Sequence, residues 1–357
     1  GVPGYGYHGR RFGSPDLKDR QYSFFVQEDW KVTNKLTLNL GLRYEYVTPF
    51  FSPNNEISMF DETSQKLLIA GQNGVSRYII DPDKNNWAPR VGLALKLNPK
   101  TTLRAGFGVF FSPETAKKDD IKFNPPFYRQ YGTDPYTDAY PDDPNQSTWT
   151  FWSPNPPDFT DPGDFPTGYD IQNIDFRLRT GYSEQYSFAI QRELPWGMLF
   201  EAAYVGSQAH KMPFNFNYNQ STVRGAPKPV PNIGQIKVVT GVGSMNYHSG
   251  QFKLERRYGN NMFFLTSYTW SKSIDNVSSS LFGSGVSGGV QNVFDPGANR
   301  AVSDWDVPHR VAFSTILDLP FGKGQKYGAQ AHPVLKAVLG NWQVTGIFMA
   351  SSGVPGT

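Results

Sequence analysis

Eleven residues near the N-terminus alternate strictly between apolar and polar side chains. Every even position from 36 to 46 is apolar, and every odd position is polar or glycine. The two sets are Leu36, Leu38, Leu40, Leu42, Tyr44 and Tyr46, and Thr37, Asn39, Gly41, Arg43 and Glu45. Because successive side chains of a β-strand point to opposite faces, this period predicts a strand with one apolar and one polar face. About 9 to 11 residues of tilted strand cross a bilayer core, so the segment has membrane-spanning length.

The chain contains about ten predicted long strands, and most of them show the same alternation. They lie near residues 21–32, 36–46, 91–97, 103–109, 186–190, 200–204, 252–254, 262–270, 309–319 and 341–350. Short turns at 33–35, 98–100, 194–197 and 259–261 alternate with long connections near 48–85, 112–181, 207–246 and 275–307. Outer-membrane barrels combine short periplasmic turns with long extracellular loops in this way. We therefore predict an all-β fold, an antiparallel meander of about ten long strands that forms part of a transmembrane β-barrel.

The composition argues against several other classes of protein. No apolar run reaches the ~18 to 20 residues that a membrane-spanning helix needs. The net charge is +3 and basic residues form no long run, which argues against nucleic-acid binding. The absence of cysteine excludes disulfides and thiolate metal sites. Aromatic residues, 15% of the chain, lie near predicted strand ends, as in the girdles of membrane barrels.

The polar face of the predicted strands carries charges of both signs. If the apolar face meets lipid, these side chains line the interior of the barrel and are candidates for contact with a solute. Most of them are expected to pair across neighbouring strands and to act structurally. The predicted lumen-lining residues are Arg43, Glu45, Lys96, Arg104, Glu201, Lys253, Glu255, Arg257 and Arg310.

The long connection near 112–181 is rich in aromatic and acidic residues and in proline. Aromatic faces and carboxylates together suit a sugar, a peptide or a hard cation such as Ca²⁺. A proline-stiffened extracellular loop that packs on itself explains the same composition. The candidates for ligand contact in this loop are Tyr131, Tyr136, Tyr140, Trp149, Trp152, Asp142 and Asp143.

Catalytic and metal-binding motifs are weak in this sequence. The Gly/Ser-rich stretch 283–289 contains GxGxxG and GxSxG strings, but not the strand-to-helix context that either function requires. The five histidines are scattered, with no pair four residues apart. We therefore predict no cofactor, no metal site and no enzymatic activity.

Five short stretches, in order along the predicted strands, resemble the TonB-dependent outer-membrane receptors, in particular the Oar-like group. They are FVQEDWK at 25–31, LNLGLRYE at 38–45, NNWAPRVG at 85–92, YTWSKSID at 268–275 and PHRV at 308–311. The resemblance implies a 22-stranded barrel in the bacterial outer membrane, a plug domain inside it and energy from a TonB-type partner. It also implies uptake of a bulky solute of siderophore, glycan or peptide class.

Both ends of the chain lack the features expected of a whole receptor. The N-terminal residues lack the charged start, apolar core and cleavage site of a signal peptide. The sequence also shows neither a recognisable plug nor a closing aromatic strand. We therefore expect residues 1–357 to form one partial barrel domain, in contact with outer-membrane lipid, a plug and further strands of the same receptor.

Two alternatives remain open at this point. The first is a complete ten-stranded outer-membrane hydrolase, whose strands would close on one another. The second is a glycan-binding β-protein of the cell surface, whose leucines would pack inside a dry core against a second sheet. Strand closure and the surroundings of those leucines distinguish these alternatives from a transporter wall.

Overall fold

The computed structural model describes most of the chain. The described residues are 6–11, 16–112, 121, 124–133, 169–221, 223, 225–231, 233–259, 262–278, 292, 294–321, 327, 332–334, 338, 340 and 342–355. The strands among them are β1 Gly6–Arg11, β2 Gln21–Lys31, β3 Leu36–Val47, β4 Ser58–Asp61, β5 Lys66–Ile69, β6 Trp87–Asn98, β7 Thr101–Ser112, β8 Tyr128–Thr133, β9 Tyr169–Ile174, β10 Gly181–Leu194, β11 Met198–Asn217, β12 Ile233–Gly259, β13 Met262–Asp275, β14 Ala301–Val302, β15 His309–Asp318 and β16 Gln343–Ser351.

Ten of these strands form a meander in chain order. The order across the sheet is β2, β3, β6, β7, β10, β11, β12, β13, β15 and β16, and each neighbouring pair is antiparallel. This confirms the predicted meander of about ten strands. The short strands β14 and β9 pair with β13 and β12, while β4 with β5 and β1 with β8 form separate two-stranded sheets. Among the described strands, β2 and β16 are the two ends of the meander, so the sheet does not close on itself.

The tight turns all lie at one end of the sheet. Residues 33–35, 99–100 and 195–197 connect neighbouring strands, and Gly259 pairs with Met262 across a fourth turn. In the turn Pro195–Gly197, Trp196 and Gly197 have positive φ values of 63° and 70°. The connections from β3 to β6, from β7 to β10, from β11 to β12 and from β13 to β15 lie at the opposite end, which is the extracellular end in outer-membrane barrels. The connection from β15 to β16, residues 319–342, is also long, but it lies at the end of the tight turns.

The apolar face of the meander is not covered by other described elements. Leu40 remains 40% exposed and Phe188 51% exposed, although both lie within long strands. A dry core against a second sheet would have buried these side chains. The face is therefore suited to hydrocarbon, as predicted from the alternation. No helix in the described part of the chain is long and apolar enough to cross a membrane.

Aromatic side chains concentrate near the two ends of the apolar face. At the extracellular end, ring contacts between neighbouring strands include Tyr22 with Tyr46 and Tyr44 with Trp87, whose centroids are 6.1 and 4.6 Å apart. Exposed Trp30, Trp196 and Trp342 lie near the other end. Both rows match the girdles expected at the two bilayer interfaces. Phe110, which also lies near a strand end, is on the polar face instead, because its position in β7 has the opposite parity to that of Phe111.

The structure differs from prediction in the connection at 207–246. β11 continues to Asn217 and β12 begins at Ile233, so much of the predicted loop is a strand pair that rises beyond the bilayer level. We call residues 57–80, 121, 124, 169–176 and the described part of 212–243 the cap. Its buried apolar side chains form two clusters. The first consists of Ile57, Met59, Ala70, Ile80, Ile121, Ile174 and Val239, and the second of Phe60, Ile171, Val230, Ile233, Ile236 and Val238.

Candidate functional site on the polar face of the sheet

The register of the strands brings the predicted lumen-lining residues to one face. Residues paired across strands share a face, and the pairs include Ala94 with Arg104, Glu201 with Lys253, and Thr269 with Arg310. The eight residues placed together in this way are Arg43, Glu45, Lys96, Arg104, Glu201, Lys253, Glu255 and Arg310. Arg257 lies in β12, and its side chain is outside the described residues.

Several charges on this face neutralise each other within one strand. Arg43 donates through Nε to Glu45 Oε1 on β3, two residues away on the same face. On β12, Lys253 Nζ lies 2.9 Å from Glu255 Oε2, and Glu201 stands opposite Lys253 on β11. Exposed pairs of this kind contribute roughly 0 to 1 kcal/mol each. They therefore act mainly by removing net charge from the wall.

A groove of about 470 Å³ crosses the polar face between β2 and β11. Its floor is made of glycines at positions 41, 92, 106 and 108, which bring no side chain to the wall. Gln27, Asn39, Arg90 and Gln185 form its polar sides. The Arg90 guanidinium is 4.6 Å from the centroid of the Phe110 ring, so a cation–π contact holds both side chains against the wall.

A second recess of about 690 Å³ lies on the polar face toward the extracellular end. We call it the outer recess. It is formed by β12, β13, β15 and β16 together with the connection before β15. Its lining residues are Tyr247, Gln251, Thr269, Ser271, Ser273, Trp305, Asp306, Val307, Arg310, Met349, Ala350 and Ser351.

The connection before β15 is held firmly over the outer recess. Asp306 is 2% exposed; its carboxylate accepts hydrogen bonds from the Ser273 backbone N–H at 2.6 Å and from Lys272 Nζ at 3.0 Å. Ser271 Oγ donates to the Val307 carbonyl at 2.9 Å. A side chain locked by such contacts offers a ligand a surface that is already organised.

Trp305 and Arg310 provide the larger contact groups of the outer recess. Trp305 is 74% exposed, while its indole Nε1 donates to the Ser278 carbonyl at 2.8 Å, which anchors the ring. Arg310 stands opposite Thr269 on β13 and Ser351 on β16. It makes no ion pair with another residue of the described part. An exposed ring, a guanidinium and several hydroxyl and amide groups together suit a polar solute of moderate size.

The side chains of the predicted ligand contacts in the loop near 112–181 lie outside the described residues. Tyr131 belongs to β8, where its backbone pairs with His8, and its side chain lies outside the described residues. The positions of Tyr136, Tyr140, Asp142, Asp143, Trp149 and Trp152 lie outside them as well.

Sequence reasoning missed most of the outer recess. The polar positions 269, 271 and 273 continue the alternation of β13, so parity alone places them with Arg310. Trp305 carries no such signal, because it lies in a connection whose path depends on Asp306 and its partners. No group of three His, Cys, Asp or Glu side chains that could hold a metal ion occurs within the described ranges.

Comparison with solved structures finds outer-membrane receptors of low sequence identity. FpvA of Pseudomonas aeruginosa bound to a ferric pyoverdine is 13% identical with a TM-score of 0.46, and the match covers 87% of this chain and 27% of FpvA. The alcaligin outer-membrane receptor FauA of Bordetella pertussis is 12% identical with a TM-score of 0.41, over 85% and 35% of the two chains.

The siderophore receptor PiuA of Acinetobacter baumannii is 10% identical with a TM-score of 0.44, over 84% of this chain and 31% of PiuA. The chain thus spans about a third or less of the length of these receptors. A search of curated protein sequences finds no match.

The family comparison covers the entire chain. The profile described as "Outer membrane beta barrel domain" matches residues 1–357. This agrees with the antiparallel meander, its uncovered apolar face and the asymmetry between short and long connections. The chain therefore belongs to the outer membrane β-barrel domain family, and its location is the bacterial outer membrane.

Proposed function

We propose that the chain is part of the barrel wall of a TonB-dependent, Oar-like receptor that takes up a bulky solute. The observation that carries the proposal is the polar face, where the outer recess and the charged residues predicted from the sequence follow one wall of a spanning sheet. A wall of this kind provides contacts to a solute that passes through the barrel. The five stretches that resemble the Oar-like receptors support the specific group.

The open edges of the sheet support a larger barrel. Every residue of β2 is exposed, and β16 is paired with β15 alone among the described strands. Backbone groups left unpaired in a bilayer are costly, so both edges require further strands as partners. We propose that these are the remaining strands of a 22-stranded receptor, with a plug inside and a TonB-type protein as the energy-coupling partner. An open edge disfavours the complete ten-stranded hydrolase.

The outer recess is the proposed first contact for the solute within the described residues. Arg310 supplies a fixed positive charge and Trp305 a flat apolar surface, while Thr269, Tyr247 and Gln251 supply hydrogen-bonding groups. These groups bind a ligand without performing chemistry on it, which fits a receptor and not an enzyme. We keep the loop residues Tyr131, Tyr136, Tyr140, Asp142, Asp143, Trp149 and Trp152 as further candidates for solute contact.

Uptake by cells that express the protein from its complete gene tests this proposal. Three radiolabelled probes are offered: a ferric siderophore, an oligosaccharide and a short peptide. We expect accumulation of one probe, abolished by deletion of the gene or by a protonophore. If none of the three accumulates in a way that depends on the gene, the proposal is contradicted.

The same assay locates the solute path. A hydrogen bond to a charged group contributes about 1.5 to 3 kcal/mol to binding. Because Arg310→Ala removes such a bond, it should reduce uptake at low probe concentration by about tenfold or more. Trp305→Ala should act in the same direction. Val311→Ala, on the apolar face next to Arg310, is the matched control and should leave uptake unchanged. Equal uptake by all three variants would remove the outer recess from the path.

A further inference from the structure

The outer recess presents one row of polar side chains across four neighbouring strands. Gln251 on β12 stands opposite Thr269 on β13. Thr269 stands opposite Arg310 on β15, and Arg310 stands opposite Ser351 on β16. Neighbouring strands lie about 4.8 Å apart, so the backbone positions of Gln251 and Arg310 are separated by about 10 Å. A ligand that contacts both side chains therefore lies across the strands.

Arg310 supplies the charge of this row. Its side chain is exposed, and its partners across the strands, Thr269 and Ser351, are neutral. Asp306, the carboxylate among the lining residues, is 2% exposed and already accepts a hydrogen bond from Lys272. The planar guanidinium group of arginine binds a carboxylate through two parallel hydrogen bonds. This end of the row therefore favours a ligand with a carboxylate group.

A chain of hydrogen bonds fixes the amide of Gln251 at the other end of the row. Gln251 Nε2 donates to Ser249 Oγ at 3.1 Å, and Ser249 Oγ donates to the Val205 carbonyl at 3.3 Å. Because the amide nitrogen is bound to the wall, the amide oxygen Oε1 is the atom that faces a ligand. This oxygen is an acceptor, so it favours a ligand that carries donors such as hydroxyl groups.

Trp305 offers a flat apolar surface beside the row. Its Nε1 donates to the Ser278 carbonyl at 2.8 Å, while the side chain stays 74% exposed. The backbone N–H of Trp305 also donates to Ser303 Oγ at 3.3 Å, so both the ring and the chain that carries it are held. With its polar atom bound to the protein, the ring presents faces that pack against the C–H groups of a sugar ring.

The backbone of the outer recess argues against an extended peptide as the ligand. Extended peptides are recognised mainly through main-chain hydrogen bonds at an open strand edge. Strands β12, β13 and β15 are paired on both sides, so their main-chain groups are already used. A ferric chelate matches the recess less well, because its metal-binding oxygens have lost their protons and cannot donate to Gln251 Oε1.

We propose that the outer recess binds a carboxylated oligosaccharide. A sugar ring packs against Trp305, a sugar carboxylate pairs with Arg310, and a hydroxyl group donates to Gln251 Oε1. The volume of about 690 Å³ lies within the range of roughly 300 to 1,000 Å³ that is usual for ligand sites. The inference rests on the proposed function, since it names the substrate class of the same site.

Binding of two matched trisaccharides tests this inference. The probes are trigalacturonic acid and its trimethyl ester, which keeps the sugar rings and hydroxyl groups but carries no charge. The protein is expressed from its complete gene and purified in detergent, so the measurement requires neither uptake nor an energy source. Isothermal titration calorimetry gives both affinities. We expect the acid to bind about tenfold or more tightly than the ester.

Substitutions separate the contribution of the charge from that of the ring. Arg310→Gln should lower the affinity for the acid to that for the ester and leave binding of the ester unchanged. Trp305→Ala should weaken binding of both probes by about tenfold. Trp305→Phe keeps a flat ring and should retain binding of both, which separates loss of the contact from loss of the fold. Lys100→Gln, in an exposed tight turn at the other end of the sheet, removes one positive charge and is the matched control.

Two kinds of result would overturn the inference. One is equal affinity for acid and ester, including no measurable binding of either, or acid binding that survives Arg310→Gln. The other is tighter, Arg310-dependent binding of triglutamate or of an anionic ferric siderophore, which would assign the outer recess to a peptide or to a metal chelate.

Failure of this inference is distinguishable from failure of the transport proposal. Uptake of another probe that depends on Arg310, without binding of trigalacturonic acid, would overturn the inference and leave transport standing. Binding of trigalacturonic acid through Arg310, without its accumulation in cells, would support the inference and count against transport.

Discussion

The spanning part of the meander and the cap above it are stabilised in different ways. In the spanning part, side chains such as Leu40 and Phe188 stay exposed within the protein, and stability comes from backbone pairing and from contact with lipid. In the cap, Ile236 and Met59 are fully buried and belong to dry clusters. The strands β11 and β12 pass through both regions. Their apolar side chains therefore contact lipid in the spanning part and other protein side chains in the cap.

This difference explains why buried asparagines occur in the cap. Asn173 bonds to both the N–H and the C=O of Phe60, and Asn124 bonds to both backbone groups of Gln172. Asn219 accepts from the Val230 N–H and donates to the Val230 carbonyl. Each side chain satisfies backbone groups that no strand reaches, as a dry interior requires. In the spanning sheet, the neighbouring strands satisfy these groups.

The largest expected effect is the loss of a core side chain from the cap. Ile236→Ala should destabilise the cap by about 2 to 5 kcal/mol, because it combines a lost transfer free energy with a cavity that remains unfilled. Ile190→Ala on the lipid-facing side should cost less, since acyl chains fill the vacated space and no cavity remains. Hydrogen exchange of cap and sheet amides measures both. Equal losses at the two sites would show that the cap lacks a rigid core.

The second prediction compares adjacent residues of β11. Ala202 lies between Ile190 and Phe252 on the apolar face, and Ala203 lies between Ala189 and Gln251 on the polar face. Ala202→Arg should cost about 2 to 4 kcal/mol, because a charge near the bilayer midplane is poorly solvated. Ala203→Arg should cost much less, because its face meets water. Urea unfolding in phospholipid bilayers measures the free energy of unfolding of both variants. A larger loss of stability for Ala203→Arg would reverse the assignment of the two faces.

The parts of the fold that face two different solvents were predictable from sequence. Leu36 to Tyr46 alternates because one face meets lipid and the other meets water, and β3 extends over this segment. Alternation ends where this contrast ends, so the outer parts of β11 and β12 were read as loop. Polar residues that face lipid, such as Lys272 and Glu184, break the period for local reasons. The charged half of the candidate site follows from parity, whereas Trp305 depends on tertiary contacts.

The third prediction places one substitution in each region. Asn173→Ala removes the partner of both Phe60 backbone groups and should cost the cap about 1 to 3 kcal/mol, because buried polar groups are left unsatisfied. Asn39→Ala removes a hydrogen bond to Asp29 on the exposed polar face, where water replaces it. It should therefore have little effect. Comparable losses measured by protease resistance would contradict the dry interior of the cap.

The smallest expected effect comes from Glu62, a half-buried carboxylate beside Asn173. Burial raises the pKa of Glu62 above its usual value, despite hydrogen bonds from its own backbone N–H and from Asn173 Nδ2, the latter at 3.3 Å. The folded cap thus binds a proton more tightly than the unfolded chain. The stabilisation from that proton is complete below the unfolded pKa of about 4.3 and is lost as pH rises through the raised folded pKa.

Glu62→Gln removes this penalty and keeps an acceptor for Asn173. The variant should therefore stabilise the cap slightly at about pH 7, and its advantage should vanish below about pH 4. Hydrogen-exchange protection of cap amides, corrected for intrinsic exchange at each pH, measures the difference. Thr63→Gln, at an exposed position next to Glu62, serves as the control and should show no pH-dependent gain. A gain of equal size at both pH values would mean that the negative charge of Glu62 does not destabilise the folded cap. The cap would then tolerate the charge as readily as the water-facing wall of the sheet does.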